Sequence, residues 1–255
     1  KVNSQVLPHS LGLFYSAFTA FLGFRVNEDE YKVMGMAAYG KPVYTEQLLD
    51  FFHFNDDGTF EINQSYFNFS TPSSLPYTNK MLETFGVPRK FDDDFNFEDF
   101  DSQNILPEKG TSKFYANLAS SVQKCTEEVM IKVSLNAQKL TNIPNLCLSG
   151  GVALNGLANS RIRNRIRGDI YINPASGDSG TALGAAKLYY HKNNKKAPLI
   201  PLKQCYLGTS YNLNEIEICI KNSAMEIFCK FDDIKDRNKE VAKLIFEDNV
   251  IGWFN

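Results

Sequence analysis

Apolar residues recur at helical spacing over residues 10–24, where Leu13, Phe14, Ala17, Phe18, Phe21 and Leu22 share one side and Gly23 supplies the stop. The next stretch, EDEYKVMGMAAYGKP, carries charge first and then Gly35, Gly40 and Pro42, which predicts a polar loop with a glycine-punctuated turn. Residues 51–110 are rich in Phe, Asn and Asp. Asn55-Asp56-Asp57-Gly58 is a turn signal and residues 59–62 alternate like a strand, so this region reads as an insertion, a short hairpin plus irregular chain.

Residues 112–140 form the longest helical pattern, with Leu118, Val122, Cys125, Val129 and Val133 on one face and Pro144 closing it off. The pattern then alternates quickly: strand 146–148, turn Ser149-Gly150-Gly151, helix 154–166, strand 170–172, loop PASGDSG and helix 181–190. A βαβα order predicts an α/β sheet with helices packed on it. After His191, the run Lys192-Asn193-Asn194-Lys195-Lys196, followed by Pro198 and Pro201, has linker composition. Helical stretches at 213–220 and 237–246 and a strand at 250–253 follow, too short for a domain of their own. The sequence opens on Lys1 and stops soon after a strand-like run, so it reads as a segment of a longer polypeptide.

Composition narrows the function classes. The 255 residues are 43% apolar, enough for a sizeable core, and a formal net charge of -2 provides no broad field for nucleic acid or an anionic membrane. No run of about 18 apolar residues occurs, so no spanning helix is expected. Cys125, Cys147, Cys205, Cys219 and Cys229 keep no C-x-x-C spacing and sit in apolar or helical patterns, which predicts buried free thiols in a reducing cytoplasm. The acidic stretch from Asp92 to Asp101 is interleaved with Phe and keeps no ligand spacing, and so reads as a solvated loop. Arg161, Arg163, Arg165 and Arg167, spaced by two, scatter around a helix and read as a solvated face.

Two segments carry candidate chemistry. In LCLSGGVALN a strand runs through Ser149, Gly150 and Gly151 into a helix, where free N–H groups and the helix dipole favour a phosphate. Asn155, expected one turn into that helix, can hydrogen-bond a ribose or phosphate oxygen. In NPASGDSGTALGAA a second strand leads into Gly177, Asp178 and Gly180, which presents a carboxylate on a thin loop where it could bind a cation, while Gly184 permits close approach of a neighbouring backbone or a base. Each loop alone could be a turn made for packing; two within about 30 residues point to a shared ligand. Glu30 and Lys32 beside Gly35 could flank a ribose and a phosphate, or form a plain surface ion pair. His9, His53 and His191 make no metal pattern, and neither a nucleophile elbow nor a Walker-type G-x-x-x-x-G-K-[ST] occurs.

The segments PHSLGLFYSAFTAFLGF, EYKVMGMAAYGKP, LCLSGGVALNGLAN and NPASGDSGTALGAA, in this order, resemble the NodU, CmcH and TobZ group of O-carbamoyltransferases over most of residues 8–191. The resemblance implies an actin-like ATPase (ribonuclease H-like) lobe over 1–194, related to tRNA threonylcarbamoyl transferases, with 195–255 as a linker and the start of a YrdC-like α+β domain. It implies carbamoyl phosphate, ATP and a small hydroxyl-bearing acceptor as partners, with a carbamoyl adenylate intermediate. Gly150, Gly151 and Asn155 would hold the adenylate, Glu30 and Lys32 would flank it, and Asp178 would ligate a divalent metal such as iron(II). In the family a His-bearing metal motif would precede residue 8 and a Gly-Arg-x-Glu-Phe-Gly-Pro-Arg type motif would follow residue 255, so the segment alone is expected to be inactive. A sugar or acetate kinase, a tRNA threonylcarbamoyl transferase and a nucleotide-regulated binding module remain alternatives, and the acceptor and any homodimer stay open.

Overall fold

The computed structural model describes residues 1–69, 75–100, 104, 106–200, 202, 206, 208–223 and 233–253. It divides into a unit of Lys1–Cys205 and a smaller one of Tyr206–Asn255. Among the described residues the larger unit contains helices and two small two-stranded sheets.

Helix α1, Leu11–Phe21, starts where the Ser10 hydroxyl accepts the Leu13 N–H and stops at Gly23, whose φ of +78° suits a residue without a β-carbon. Its apolar side delivers Phe14, Phe18 and Phe21, all fully buried, into a core of edge-on rings; Phe14 and Phe52 lie 5.0 Å apart and Phe18 and Phe85 5.9 Å. Each such ring contributes about 1.5–3 kcal/mol over the exposed state.

The EDEYKVMGMAAYGKP stretch is not a polar loop. It forms helix α2, Glu30–Ala37, because Val33, Met36 and Ala37 bury one side while Gly35 lies exposed in mid-helix. Gly40 closes the segment against the long helix α5, Ser112–Thr141: a β-carbon on Gly40 would land on the Ala116 carbonyl. Two further ties hold the junction, Lys41 N–H to Asn117 Oδ1 at 2.8 Å and Tyr44 N–H to Ser121 Oγ at 3.0 Å.

Helix α3, Thr45–Leu49, then leads to the predicted hairpin, β1 (Phe52–Phe54) antiparallel to β2 (Phe60–Ile62) with Phe52 opposite Ile62, and helix α4, Asn79–Phe85, follows. Phe51, Phe52, Phe60, Ile62, Phe67, Tyr77, Met81 and Phe85 enter the same core as α1 and α5, so the phenylalanine-rich region is part of the core wall. The acidic run stays at the surface where it is described; Asp101 lies outside the described residues.

Helix α5 is capped by Thr111, whose Oγ1 accepts the Phe114 N–H, and ends at the left-handed Asn142, before Pro144. Leu118, Val122, Cys125 and Val129 are fully buried as the periodicity predicts, and Val133, one turn on, is 37% exposed. Beyond it lie β3 (Leu146–Leu148) and β4 (Ile170–Ile172), parallel with Leu146 opposite Ile170. Between them runs α6, Gly156–Arg163, and after them α7, Gly180–Asn193. Ala158 and Ile162 of α6 pack on Met130 and Ile131 of α5, with Leu146, Leu148 and Ile170 at the edge. This is the predicted βαβα order. Arg161 and Arg163 are exposed on α6, in keeping with a solvated face.

The smaller unit holds α8, Leu213–Asn222, opened by an Asn212–Glu215 capping box, and α9, Ile234–Phe246. Residues 250–253 form no strand; among the described residues no neighbouring chain pairs with them, and a strand exists only with a partner. The thiols also depart from expectation, since Cys125 is buried but Cys147 and Cys219 are exposed; Cys205 and Cys229 lie outside the described residues. Among the described residues no helix is long and apolar enough to cross a membrane.

Candidate functional site

The two glycine loops meet. Leaving β3, the chain turns at Gly150, whose φ of +103° and ψ of 163° belong to a region open only to glycine, and its N–H donates to the Ser176 carbonyl at 2.7 Å. A short 3-10 turn, Gly151–Leu154, follows. The Gly150 N–H is therefore spent on the second loop, and the donors left to an anion are those of Gly151 and Val152, which begin the turn and have no acceptor within it. Ser149, Gly150 and Gly151 are exposed, and nothing lies within 4 Å of where a β-carbon on Gly150 or Gly151 would sit.

The second loop is internally braced. Asn173 Oδ1 accepts the Ala175 N–H at 2.9 Å, the Ser176 hydroxyl donates to the Asn173 carbonyl at 2.8 Å, and the Thr181 N–H and hydroxyl both reach the Asp178 carbonyl. Gly180 is fixed by packing, because a β-carbon there would overlap the Ala175 carbonyl, and Gly177 sits against Leu154 of the first loop. Gly184 makes no close approach, with nothing within 4 Å. Asp178 is exposed, and among the described residues its carboxylate takes no hydrogen bond or ion pair, so it is available to a ligand. The described residues do not, however, fit a metal centre of their own. Nowhere among them do three or more His, Cys, Asp or Glu converge, and Asp178 offers a single carboxylate.

Asn155 is not one turn into the helix; it is the N-cap of α6, with Oδ1 accepting the Ala158 N–H at 3.0 Å. It is also buried and clasped by Gln123 of α5, Nε2 to Oδ1 and Nδ2 to Oε1, both at 3.0 Å. Gln123 goes on to receive the Tyr15 hydroxyl at 3.1 Å and to donate to Glu127 Oε1 at 3.1 Å. Burial, then the charges of Glu30 and Glu127, pushes the Tyr15 phenol far above its usual range, so it remains a donor. Glu127 is buried as well, with Arg161 Nε at 3.7 Å and Lys124 Nζ at 3.9 Å.

Glu30, the first residue of α2, is tied to α1 and to the turn before α2: its Oε1 accepts the Ser16 hydroxyl at 3.0 Å and the Asn27 N–H at 2.7 Å. Lys32 pairs with Asp29, not with Glu30, at 3.0 Å, and its Nζ lies 5.9 Å from the centre of the Phe24 ring. The structure thus brings Ser149, Gly150, Gly151, Asn155, Gly177, Asp178 and Gly180 together, while Glu30, Lys32 and Gly35 of α2 are joined to them by no hydrogen bond or ion pair among the described residues.

The model of the carbamoyltransferase N-terminus matches residues 1–187. The chain belongs to the carbamoyltransferase family. Over 254 residues it is 38% identical to an uncharacterised protein of Synechocystis, covering 97% of this chain and 38% of that protein. Nodulation protein NolNO of Sinorhizobium fredii is 31% identical over 249 residues, 96% of this chain and 32% of that protein. Nodulation protein NolO of Bradyrhizobium diazoefficiens is 29% identical over 250 residues, 96% of this chain and 40% of that protein. The chain thus spans two-fifths or less of the length of these relatives.

In this member of the carbamoyltransferase family, Tyr15, Gln123 and Glu127 went unnoticed in the sequence. The available signal was the four-residue spacing of Gln123 and Glu127, which puts both on one side of a helix. Asn155, the partner of Gln123, lies 32 residues beyond it, out of reach of any periodicity.

Proposed function

We propose that the whole protein is an ATP-dependent O-carbamoyltransferase and that the paired glycine loops hold its nucleotide. The observation that carries this reading is the Gly150–Ser176 hydrogen bond, which places an open, donor-bearing turn beside a loop with an unpartnered carboxylate, inside the stretch matched by the family model. Phosphate oxygens suit the Gly151 and Val152 N–H groups. The lobe would be of the actin-like type, with residues 195–255 leading into a YrdC-like domain.

In the proposed reaction water cleaves carbamoyl phosphate to carbamate and phosphate, and a carbamate oxygen then attacks the α-phosphorus of ATP, giving carbamoyl adenylate as the α–β phosphate bond breaks and pyrophosphate leaves. An acceptor hydroxyl then attacks the carbamoyl carbon, a new C–O bond forms, the bond to AMP breaks and the hydroxyl proton passes to solvent or a base. Here the chain's own residues bind and orient: the turn donors hold the phosphate and the loop around Gly177 and Gly180 sets its distance. A divalent ion such as iron(II), if bound, would supply Lewis-acid polarisation of the carbamoyl carbonyl, and Asp178 would give it one ligand, the remainder coming from outside the described residues. Glu30 and Lys32 would flank the nucleotide after rearrangement of the Asp29 pair. The reaction suits a cytoplasmic enzyme that draws on cellular ATP.

Asp178→Ala in the whole protein tests the placement. Carbamoyl transfer should fall by at least about a hundredfold while pyrophosphate release continues. Equal transfer by the variant would remove Asp178 from the site.

A further inference from the structure

Gln123 satisfies all of its hydrogen-bonding capacity inside the protein. Both Nε2 hydrogens are used, on Asn155 Oδ1 and Glu127 Oε1, and both Oε1 lone pairs, by Asn155 Nδ2 and the Tyr15 hydroxyl. It is buried, and so are its three partners, so each bond is made where water cannot replace it. Four hydrogen bonds around one amide, one of them to the Glu127 carboxylate, also fix which end is oxygen and which is nitrogen. That choice passes to Asn155, whose Oδ1 must face both Gln123 and the Ala158 N–H.

Asn155 follows directly on the 3-10 turn Gly151–Leu154, and its own N–H donates to the Val152 carbonyl at 3.1 Å. Asn159 Nδ2 braces the same turn at the Ala153 carbonyl. The turn is therefore held at its downstream end by the Asn155 cap and at its upstream end by Gly150 on Ser176. Of these two hydrogen-bonded holds the downstream one reaches α5, and it does so through Gln123.

We infer that Gln123 is a positioning residue for the glycine turn, acting through Asn155 to set the direction of the Gly151 and Val152 N–H groups. The inference rests on the nucleotide-binding reading of that turn. Nothing requires Gln123 to touch the ligand. Its removal releases the Asn155 amide, which keeps its cap on α6 but gains freedom to turn about its side-chain bonds, and the anchored end of the turn loosens.

The experiment is a double-mutant cycle on ATP affinity in the whole protein, with thermal midpoints measured alongside. Gln123→Met keeps the volume and removes every bond; Asn155→Ser keeps an oxygen to cap α6 and removes the clasp. Tyr15→Phe removes one bond of the hub and leaves the clasp. ATP binding is expected to weaken about tenfold in Gln123→Met and in Asn155→Ser, with no further loss in the double variant, while Tyr15→Phe lowers the midpoint and leaves affinity within about twofold.

Independent, additive losses would overturn the inference, because Gln123 would then not act through Asn155. So would an equal loss in Tyr15→Phe, which would mark a general loosening of the core. Should Gln123→Met fail to fold, Asn155→Ser against Tyr15→Phe makes the same distinction. Gly150→Ala separates the two levels: if it weakens ATP binding and Gln123→Met does not, the turn binds nucleotide and Gln123 does not position it. If neither variant changes ATP binding, the nucleotide reading of the turn itself falls.

Discussion

The N–H of Gly150 donates to the carbonyl of Ser176 at 2.7 Å, joining two loops 26 residues apart in sequence into one surface. The bond exists because Gly150 takes a backbone conformation that β-carbons exclude. Gly150→Ala should therefore cost about 1–3 kcal/mol of stability, seen as a lower urea midpoint, even though open space surrounds the new methyl group. A midpoint equal to that of the parent would show that the loops are not held in this way.

Gly35 and Gly40 stand five residues apart in one motif, and alanine should act on them with opposite sign. At Gly40 the methyl group meets the Ala116 backbone, and separating α2 from α5 should cost about 1–3 kcal/mol or more. At Gly35, exposed within α2, nothing is met, and alanine should stabilise by about 0.5–1 kcal/mol. Thermal melts of the two variants check both signs.

Leu118 is fully buried where α5 faces the ring cluster. Leu118→Ala should destabilise by about 2–5 kcal/mol, with the higher figure applying if the surrounding rings cannot close the cavity. A loss below about 1 kcal/mol would mean that α5 is not the central wall of the core.

Asp29 supplies the pH dependence. The Arg25 N–H, and after it the Lys32 ammonium, hold its carboxyl below the usual carboxylate range. A depressed folded value means that its contribution is fully present above the unfolded value of about 3.9 and is lost as pH falls through the folded one. Lys32 is shifted upward by the Asp29 hydrogen bond, so its share is present below about pH 10.4 and is lost as pH rises through the raised value. Asp29→Asn should flatten the acid limb of stability against pH; an unchanged limb would show that the pair contributes nothing.

Much of the frame was legible because it is written in local periods. The apolar faces of α1 and α5, the Asn55–Gly58 turn and the β3-α6-β4-α7 alternation all follow from spacing within one element. Helix α2 was not legible, since Gly35 and Gly40 read as breaks until Val33, Met36 and Ala37 find their cover on the core. Residues 250–253 have strand-forming side chains but no pairing partner among the described residues. The glycine loops were visible as chemistry, yet the sequence could not show that one Gly150 donor is consumed by Ser176, or that the Asn155 amide is turned inward to Gln123. Such facts depend on contacts between distant residues, which no window of sequence contains.

The most direct test of the central claim follows pyrophosphate released from ATP by the whole protein, with and without carbamoyl phosphate and an acceptor alcohol. The proposed chemistry predicts release that depends on carbamoyl phosphate, AMP formation once the acceptor is added, and a carbamoylated product. Formation of ADP with a phosphorylated acceptor, indifferent to carbamoyl phosphate, would contradict it and make the paired glycine loops those of a kinase.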